Sequence, residues 1–219
     1  MSLLRLTNVS FRYGAGAPVL RDVSFEMPAG ESALLIGDNG SGKSTLGRLI
    51  GGLAQPSAGT IAIGEEPLAR VRTRERPSRT IYVSQVSYLQ FFRATIAEEI
   101  ALATKQSGHP APVDEVLAHF RLPSMETNPR DLSYPEMWRL QLFLLGSVFQ
   151  PSVMFVDEVV APGSPEQRAA LEYTLAHRRG QGRVTLLAYQ RSIETRFDHV
   201  FHVERETVMP APNRSIGVL

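Results

Sequence analysis

Residues Gly37–Thr45 read G-D-N-G-S-G-K-S-T and fit the phosphate-binding pattern G-x-x-x-x-G-K-[ST]. The flanking sequence agrees with it: Ser32-Ala33-Leu34-Leu35-Ile36 leads in as an apolar strand, and the pattern from Thr45 to Ile50 leads out as a helix. Gly37, Gly40 and Gly42 let the backbone curl so that consecutive N–H groups face phosphate oxygens, and the helix adds the positive end of its dipole. Lys43 then reaches the β- and γ-phosphates, and the Ser44 hydroxyl is placed to ligate Mg²⁺. Asn39, Ser41 and Thr45 complete the nucleotide-binding set. A plain glycine-rich turn leaves the Lys-Ser pair unexplained.

A second chemical signal is Val153-Met154-Phe155-Val156-Asp157-Glu158, an apolar strand that delivers two carboxylates to its carboxyl end, where α/β sheets bind ligands. In a phosphate-loop protein the first, Asp157, holds Mg²⁺, and the second, Glu158, orients and deprotonates a water attacking the γ-phosphate. Alone, Asp-Glu after a strand is an ordinary turn or helix start. Paired with Gly37–Thr45 it reads as catalytic.

These groups need a sheet and helices to hold them. The 219 residues, 43% hydrophobic, are enough for a full core in one domain with a smaller subdomain. A net charge of +1 provides no overall field for nucleic acid, and zero cysteines exclude disulfides and thiolate chemistry, which fits a reducing cytosol. The amino terminus has no signal-peptide core, and the apolar stretch Leu140–Phe149 is far short of the roughly 20 residues needed to span a bilayer.

Alternation predicts strands over Leu3–Val9 and Val19–Met27, with a turn at Gly14–Pro18. Tyr13, just before that turn, either stacks on an adenine or closes a strand as core, and spacing alone favours the core. Five arginines between Arg70 and Arg79 read as a solvated connector, because no aromatics are interleaved for base stacking. Buried strands are predicted at Thr80–Ser84, ending at Gln85, and at Val184–Tyr189, ending at Gln190. Tyr88, Leu89, Phe91 and Phe92 form either subdomain core or an apolar groove for a partner helix. Thr95–Thr104, Val113–Phe120 and Pro165–Arg178 read as helices, and His109 and His119 have no metal-ligand spacing. Ser133 and Glu136 make an S-x-x-E capping box with Pro135 in the first turn, opening one long helix over Glu136–Phe149. His199–Val203 and Thr207–Met209 form a closing strand pair.

The order of these motifs resembles the ATP-binding subunit of ABC transporters over nearly the whole chain. Gly37–Thr45 matches that family's Walker A, Val153–Glu158 its Walker B with catalytic Glu158, and Gln85 its Q-loop glutamine, a further Mg²⁺ ligand. The resemblance implies that Tyr13 stacks on adenine, that Leu132-Ser133 begins the signature loop, and that Ser133 serves the nucleotide of a second subunit. It implies an α/β fold: a phosphate-loop NTPase core, mostly parallel with an antiparallel β edge, plus a helical subdomain at residues 86–149 of a single domain spanning 1–219. It also implies ATP and Mg²⁺ as ligands, membrane-spanning transporter subunits as partners, and a homodimer or a heterodimer with a second ABC ATPase. No nucleic acid is expected, and the location is cytoplasmic, on the inner face of the membrane. The stretch after Gln85 is similar to the ATPases of energy-coupling-factor importers, while Asp157–Gly163 is similar to those of polysaccharide exporters.

Three departures stand out. Tyr134-Pro135-Glu136 replaces the Gly-Gly-Gln of the signature, Gln190 stands where the family has its switch histidine, and Ala161-Pro162-Gly163-Ser164 departs from the usual loop after Walker B. They leave a nucleotide-binding switch or scaffold with little hydrolysis as the rival to an ATPase. A soluble non-transport ABC ATPase is a third reading, although such proteins usually fuse two domains of this kind.

Overall fold

The computed structural model describes residues 2–84, 91–108, 118–157, 164–204 and 206–211. A six-stranded sheet is the centre. Its order is β10 (Thr207–Pro210), β9 (His199–Glu204), β3 (Ser32–Ile36), β8 (Val184–Tyr189), β7 (Val153–Asp157), β6 (Thr80–Val83). Strands β9, β3, β8, β7 and β6 run parallel, and β10 is the antiparallel edge. The inner strands are apolar without alternation because parallel strands are covered on both faces. Period-two geometry still sorts them: Leu34, Met154, Val156 and Leu187 join one core cluster, while Ala33, Leu35, Phe155 and Leu186 join the other.

The first cluster packs against helices α3 (Ile96–Ser107), α4 (Tyr134–Phe143) and α5 (Pro165–Gly180). The second packs against α1 (Lys43–Ile50) and a separate antiparallel sheet of β2 (Pro18–Pro28), β1 (Ser2–Arg12), β4 (Ala58–Ile63) and β5 (Glu66–Pro67). The sequence implies an antiparallel edge only. The structure adds this second sheet, a pairing that strand alternation by itself does not reveal.

The connector after β5 carries a 3₁₀ turn, Leu68–Arg70, and the short helix α2 (Arg76–Arg79). Arg72, Arg74 and Arg79 face solvent beside Glu75 or Glu66, and Arg70 is exposed, while half-buried Arg76 donates to the Val71 and Gly52 carbonyls. Helix α3 starts one residue later than predicted because Thr95 is its cap, accepting from the Glu98 N–H at 3.2 Å. The predicted helix Glu136–Phe149 is corrected to an α-helix, α4, that passes into a π-helical turn at Leu144–Phe149. Gly146 lies where a Cβ would stand 2.7 Å from Thr174 Cγ2 of α5, so the altered turn seats one helix closely on the other. Helix α5 has a cap pair that the sequence reading passed over: Ser164 accepts from the Gln167 N–H, and Gln167 accepts from the Ser164 N–H.

Arg178, the last residue of the predicted helix Pro165–Arg178, is fully buried and ties α5 to β8. It donates to Thr185 Oγ1 at 2.8 Å, to the Val184 carbonyl at 2.8 Å and to the Pro151 carbonyl at 3.0 Å. Burial pushes the guanidinium down to about 9, which leaves it charged at neutral pH.

Helix α1 sits tightly on the central sheet. A Cβ on Gly47 would lie 2.5 Å from Phe155 Cε1 and 2.7 Å from Tyr82 Cε2. Overpacking of this kind costs about 1–3 kcal/mol, so Gly47→Val should lower the thermal midpoint by several degrees. Scanning calorimetry checks this, and an unchanged midpoint would contradict the packing described.

Candidate functional site

Strand β3 pairs with β8 so that Ile36 lies beside Tyr189, and β8 pairs with β7 so that Ala188 lies beside Asp157. Because all three strands are parallel, the residues that follow them emerge at one edge. Gly37, Gln190 and Asp157 are thereby gathered from distant parts of the sequence.

The loop after β3 closes tightly. A Cβ at Gly37 would meet the Val203 carbonyl at 2.3 Å and Ser41 Oγ at 2.7 Å, so only glycine fits there. Gly42, at φ +109°, is the N-cap of α1, and its left-handed backbone turns the chain into the helix. Lys43, the first helical residue, is buried, and its ammonium donates to the Gly37 carbonyl at 2.6 Å and the Asp38 carbonyl at 2.9 Å. Ser44 and Gly40 are exposed at the loop surface.

Asp157 is 3% exposed. Its Oδ2 accepts from the Tyr82 hydroxyl at 2.5 Å, and its Oδ1 is buried with no hydrogen-bond partner. Ser41 Oγ is a second buried polar atom with no partner. A bare carboxylate oxygen at the end of β7, and a bare hydroxyl within the loop whose lysine rests on backbone carbonyls, fit a phosphate-bound divalent cation. Burial, and then the Asp157 carboxylate, hold the Tyr82 hydroxyl above its ordinary value, so it remains a donor.

Gln190 and Asn39, named separately in the sequence, touch each other: Gln190 Nε2 donates to Asn39 Oδ1 at 2.7 Å. Tyr13 is 52% exposed, which corrects the reading of it as a core residue from spacing alone. Its hydroxyl shares a 3.1 Å hydrogen bond with Thr45 Oγ1, and its ring meets Phe11 edge-on at 4.8 Å. Arg48, one turn along α1, is raised above its ordinary value by hydrogen bonding to Tyr13 and by Tyr82.

Ser133 is the exposed N-cap of α4 and is held by its own helix. Its N–H donates to Glu136 Oε2 at 2.8 Å and its hydroxyl donates to the same oxygen at 2.5 Å. Those two hydrogen bonds keep Glu136 below the usual carboxylate range. A depressed carboxylate stabilises the fold above its unfolded value and loses that contribution only as pH falls through the folded one, so the box is intact at neutral pH.

Gln85, Glu158, Tyr88, Leu89, His109 and Ala161-Pro162-Gly163 lie outside the described residues. Of the aromatic cluster, Phe91 belongs to the core at 4% exposed, while Phe92 is 73% exposed. Phe92 lines a cleft of about 330 Å³ together with Ile81, Leu102, Gln106, Leu144 and Phe149. Buried Glu99 accepts from the N–H groups of Phe92 and Arg93, and Glu98 accepts from that of Ala94 at 3.1 Å. His119 is exposed and stacks on Tyr173 at 4.4 Å, and among the described residues no group of acidic and histidine side chains could hold a metal by itself.

Tyr82 and Arg48 are the site residues that the sequence reading missed. A signal existed: Gly47 interrupts a helix, where glycine costs about 1 kcal/mol relative to alanine, and such a glycine needs a packing reason.

The family model described as ABC transporter matches residues 20–161, a span that includes both the loop and Asp157. The chain is 29% identical to the energy-coupling factor transporter ATP-binding protein EcfA1 of Enterococcus faecalis, over 88% of this chain and 71% of that protein. The protein of the same name from Streptococcus mutans is 32% identical over the same shares, 88% and 71%. The spermidine/putrescine import ATP-binding protein PotA of Nitrosospira multiformis is 30% identical, and the chain spans 54% of its length with 95% of its own. A solved ATP-binding subunit of an ABC transporter superposes with a TM-score of 0.78 at 26% identity, over 94% of this chain and 88% of that one. A dimeric ATP-binding cassette in a post-hydrolysis state with ADP and Pi shares the fold, with a TM-score of 0.78 at 18% identity over 97% and 100% of the two chains.

Proposed function

Because the chain belongs to the ABC transporter family, we propose that it is the ATP-binding and hydrolysing subunit of a transporter of the energy-coupling factor importer type. In this reading it dimerises beneath separate membrane subunits on the cytoplasmic face. Among the described residues no helix is long and apolar enough to cross a membrane. Residues 86–149 form the helical subdomain that meets them.

The observation that carries the proposal is Lys43 resting on two loop carbonyls at the sheet edge where Asp157 ends β7 with one oxygen unpartnered. Lys43 exchanges those carbonyls for β- and γ-phosphate oxygens, backbone N–H groups of Gly40 to Thr45 receive the phosphates, and Tyr13 stacks on the adenine. Ser44, Gln85 and Asp157 hold the Mg²⁺, and a bound Mg²⁺ neutralises charge on the phosphates. Glu158 takes the proton of the attacking water. Gln190 presents its amide to the γ-phosphate, swung from Asn39, but cannot bring the positive charge a protonated histidine would.

One observation favours a second reading, a subunit that binds ATP and scarcely hydrolyses it. The Ser133 hydroxyl and N–H are both engaged with Glu136, and Pro135 has no N–H to offer a nucleotide on the opposite subunit. In a heterodimer the two sites are then unequal: this chain's loop meets a partner's intact signature, and its own Tyr134-Pro135 weakens the partner's site. The similarity of Asp157–Gly163 to polysaccharide exporters keeps an exporter as the alternative direction.

The membrane partner is tested at Phe92. The cleft beside it is apolar, and Glu99 fixes the backbone that presents it. Phe92→Asp should abolish co-purification with the membrane subunit and leave ATP affinity unchanged, while Phe91→Asp would disturb the core and so tests nothing about docking. Retention of the membrane subunit by the Phe92 variant would contradict the assignment.

A further inference from the structure

Tyr82 projects from β6 onto the face of α1, and that face is made for it. Cβ atoms at Gly47 and Gly51, one helical turn apart, would stand 2.7 Å from Tyr82 Cε2 and 2.6 Å from Tyr82 Cβ. Any side chain at either position displaces the tyrosine. Phe155 flanks the ring with centroids 6.1 Å apart. The ring is therefore held by packing on two elements, and its hydroxyl ends 2.5 Å from Asp157 Oδ2.

The consequence falls on Asp157. A free aspartate carboxylate rotates about its terminal torsion and can turn either oxygen to a ligand. Here one oxygen is taken by Tyr82, and the other, Oδ1, is buried and has no partner. Carboxylates that hold metals are themselves commonly hydrogen-bonded by neighbours that fix their orientation.

We propose that Tyr82 is a positioning residue that fixes Asp157 through Oδ2 and so presents Oδ1 alone to the nucleotide-bound Mg²⁺. The proposal rests on the reading of this site as one for MgATP. It gives Gly47 a functional reason, because the helix tolerates a poor helix former to seat the ring that orients the carboxylate. Arg48, next to Gly47 on α1, is held above its ordinary value by Tyr13 and Tyr82 together.

The test is calorimetric titration of ATP into the full chain and its Tyr82→Phe variant, with Mg²⁺ varied and with Mg²⁺ removed by EDTA. Phenylalanine keeps the packing on Gly47 and Gly51, so the affinity for metal-free ATP should be unchanged, while the loss of the donor to buried Asp157 should lower the thermal midpoint by only a few degrees. The Mg²⁺ concentration giving half of the metal-dependent gain should rise about tenfold or more, the usual effect of losing a group that orients a metal ligand. A merely structural role would not separate the two affinities. Tyr82→Met, which also lacks the hydroxyl, should give the same metal response if the phenylalanine variant is unstable. An unchanged or lowered Mg²⁺ requirement in a variant that still binds ATP overturns the role of Tyr82. Failure of the unmodified chain to bind ATP at all overturns the MgATP reading beneath it.

Discussion

Replacing Tyr134 and Pro135 together by glycine should raise the steady-state ATPase rate of the isolated protein by about 10²–10³-fold, the typical worth of a donor aimed at transition-state charge. In the head-to-tail dimer that the family resemblance implies, the γ-phosphate needs donors from the opposite subunit. Pro135 has none on its backbone, Tyr134 adds bulk, and Ser133 gives both its hydroxyl and its N–H to Glu136 at 2.5 and 2.8 Å. Glycines restore an N–H and close approach at once. Adding a second ATPase subunit with an intact signature should raise the rate in the same way, and Glu158→Gln should then remove it, since the base is gone. If the unmodified chain hydrolyses ATP as fast as the glycine variant, the missing N–H is not limiting. If no preparation hydrolyses ATP, the non-hydrolysing reading stands instead.

The parts of the site carried by one local stretch were legible in the sequence. Gly37–Thr45 declared itself because strand, glycines, lysine and helix lie in one run, and Asp157 because it ends an apolar strand. Contacts made through the order of strands were not. Gln190 and Asn39 are 151 residues apart and meet because β3 and β8 are neighbours, which periodicity does not encode. Tyr82 reads as one more apolar residue in a buried strand until α1 and β7 are placed on either side of it. Phe91 and Phe92 carry the same side chain on adjacent positions and both line the cleft, yet one is buried in the core and the other is exposed, and the backbone there is held by Glu99, buried within a helix. The expected single helix Glu136–Phe149 hides its π turn because Gly146 answers to Thr174 on another helix.

The second large effect is at Lys43. Its ammonium is buried, rests on the Gly37 and Asp38 carbonyls, and is the cation nearest the phosphate cradle in sequence. Charge-assisted hydrogen bonds contribute about 1.5–3 kcal/mol each, so Lys43→Ala should weaken ATP binding by about 10–10²-fold for each hydrogen bond to phosphate that it removes. Removal of the side chain also frees two carbonyl oxygens to face the incoming phosphates, which deepens the effect. Calorimetric titration of ATP with Mg²⁺ into the unmodified protein and Lys43→Ala therefore tests the central claim most directly. Saturable binding by the first and affinity at least about tenfold weaker in the second is the predicted result. Equal affinity in the two proteins would contradict it.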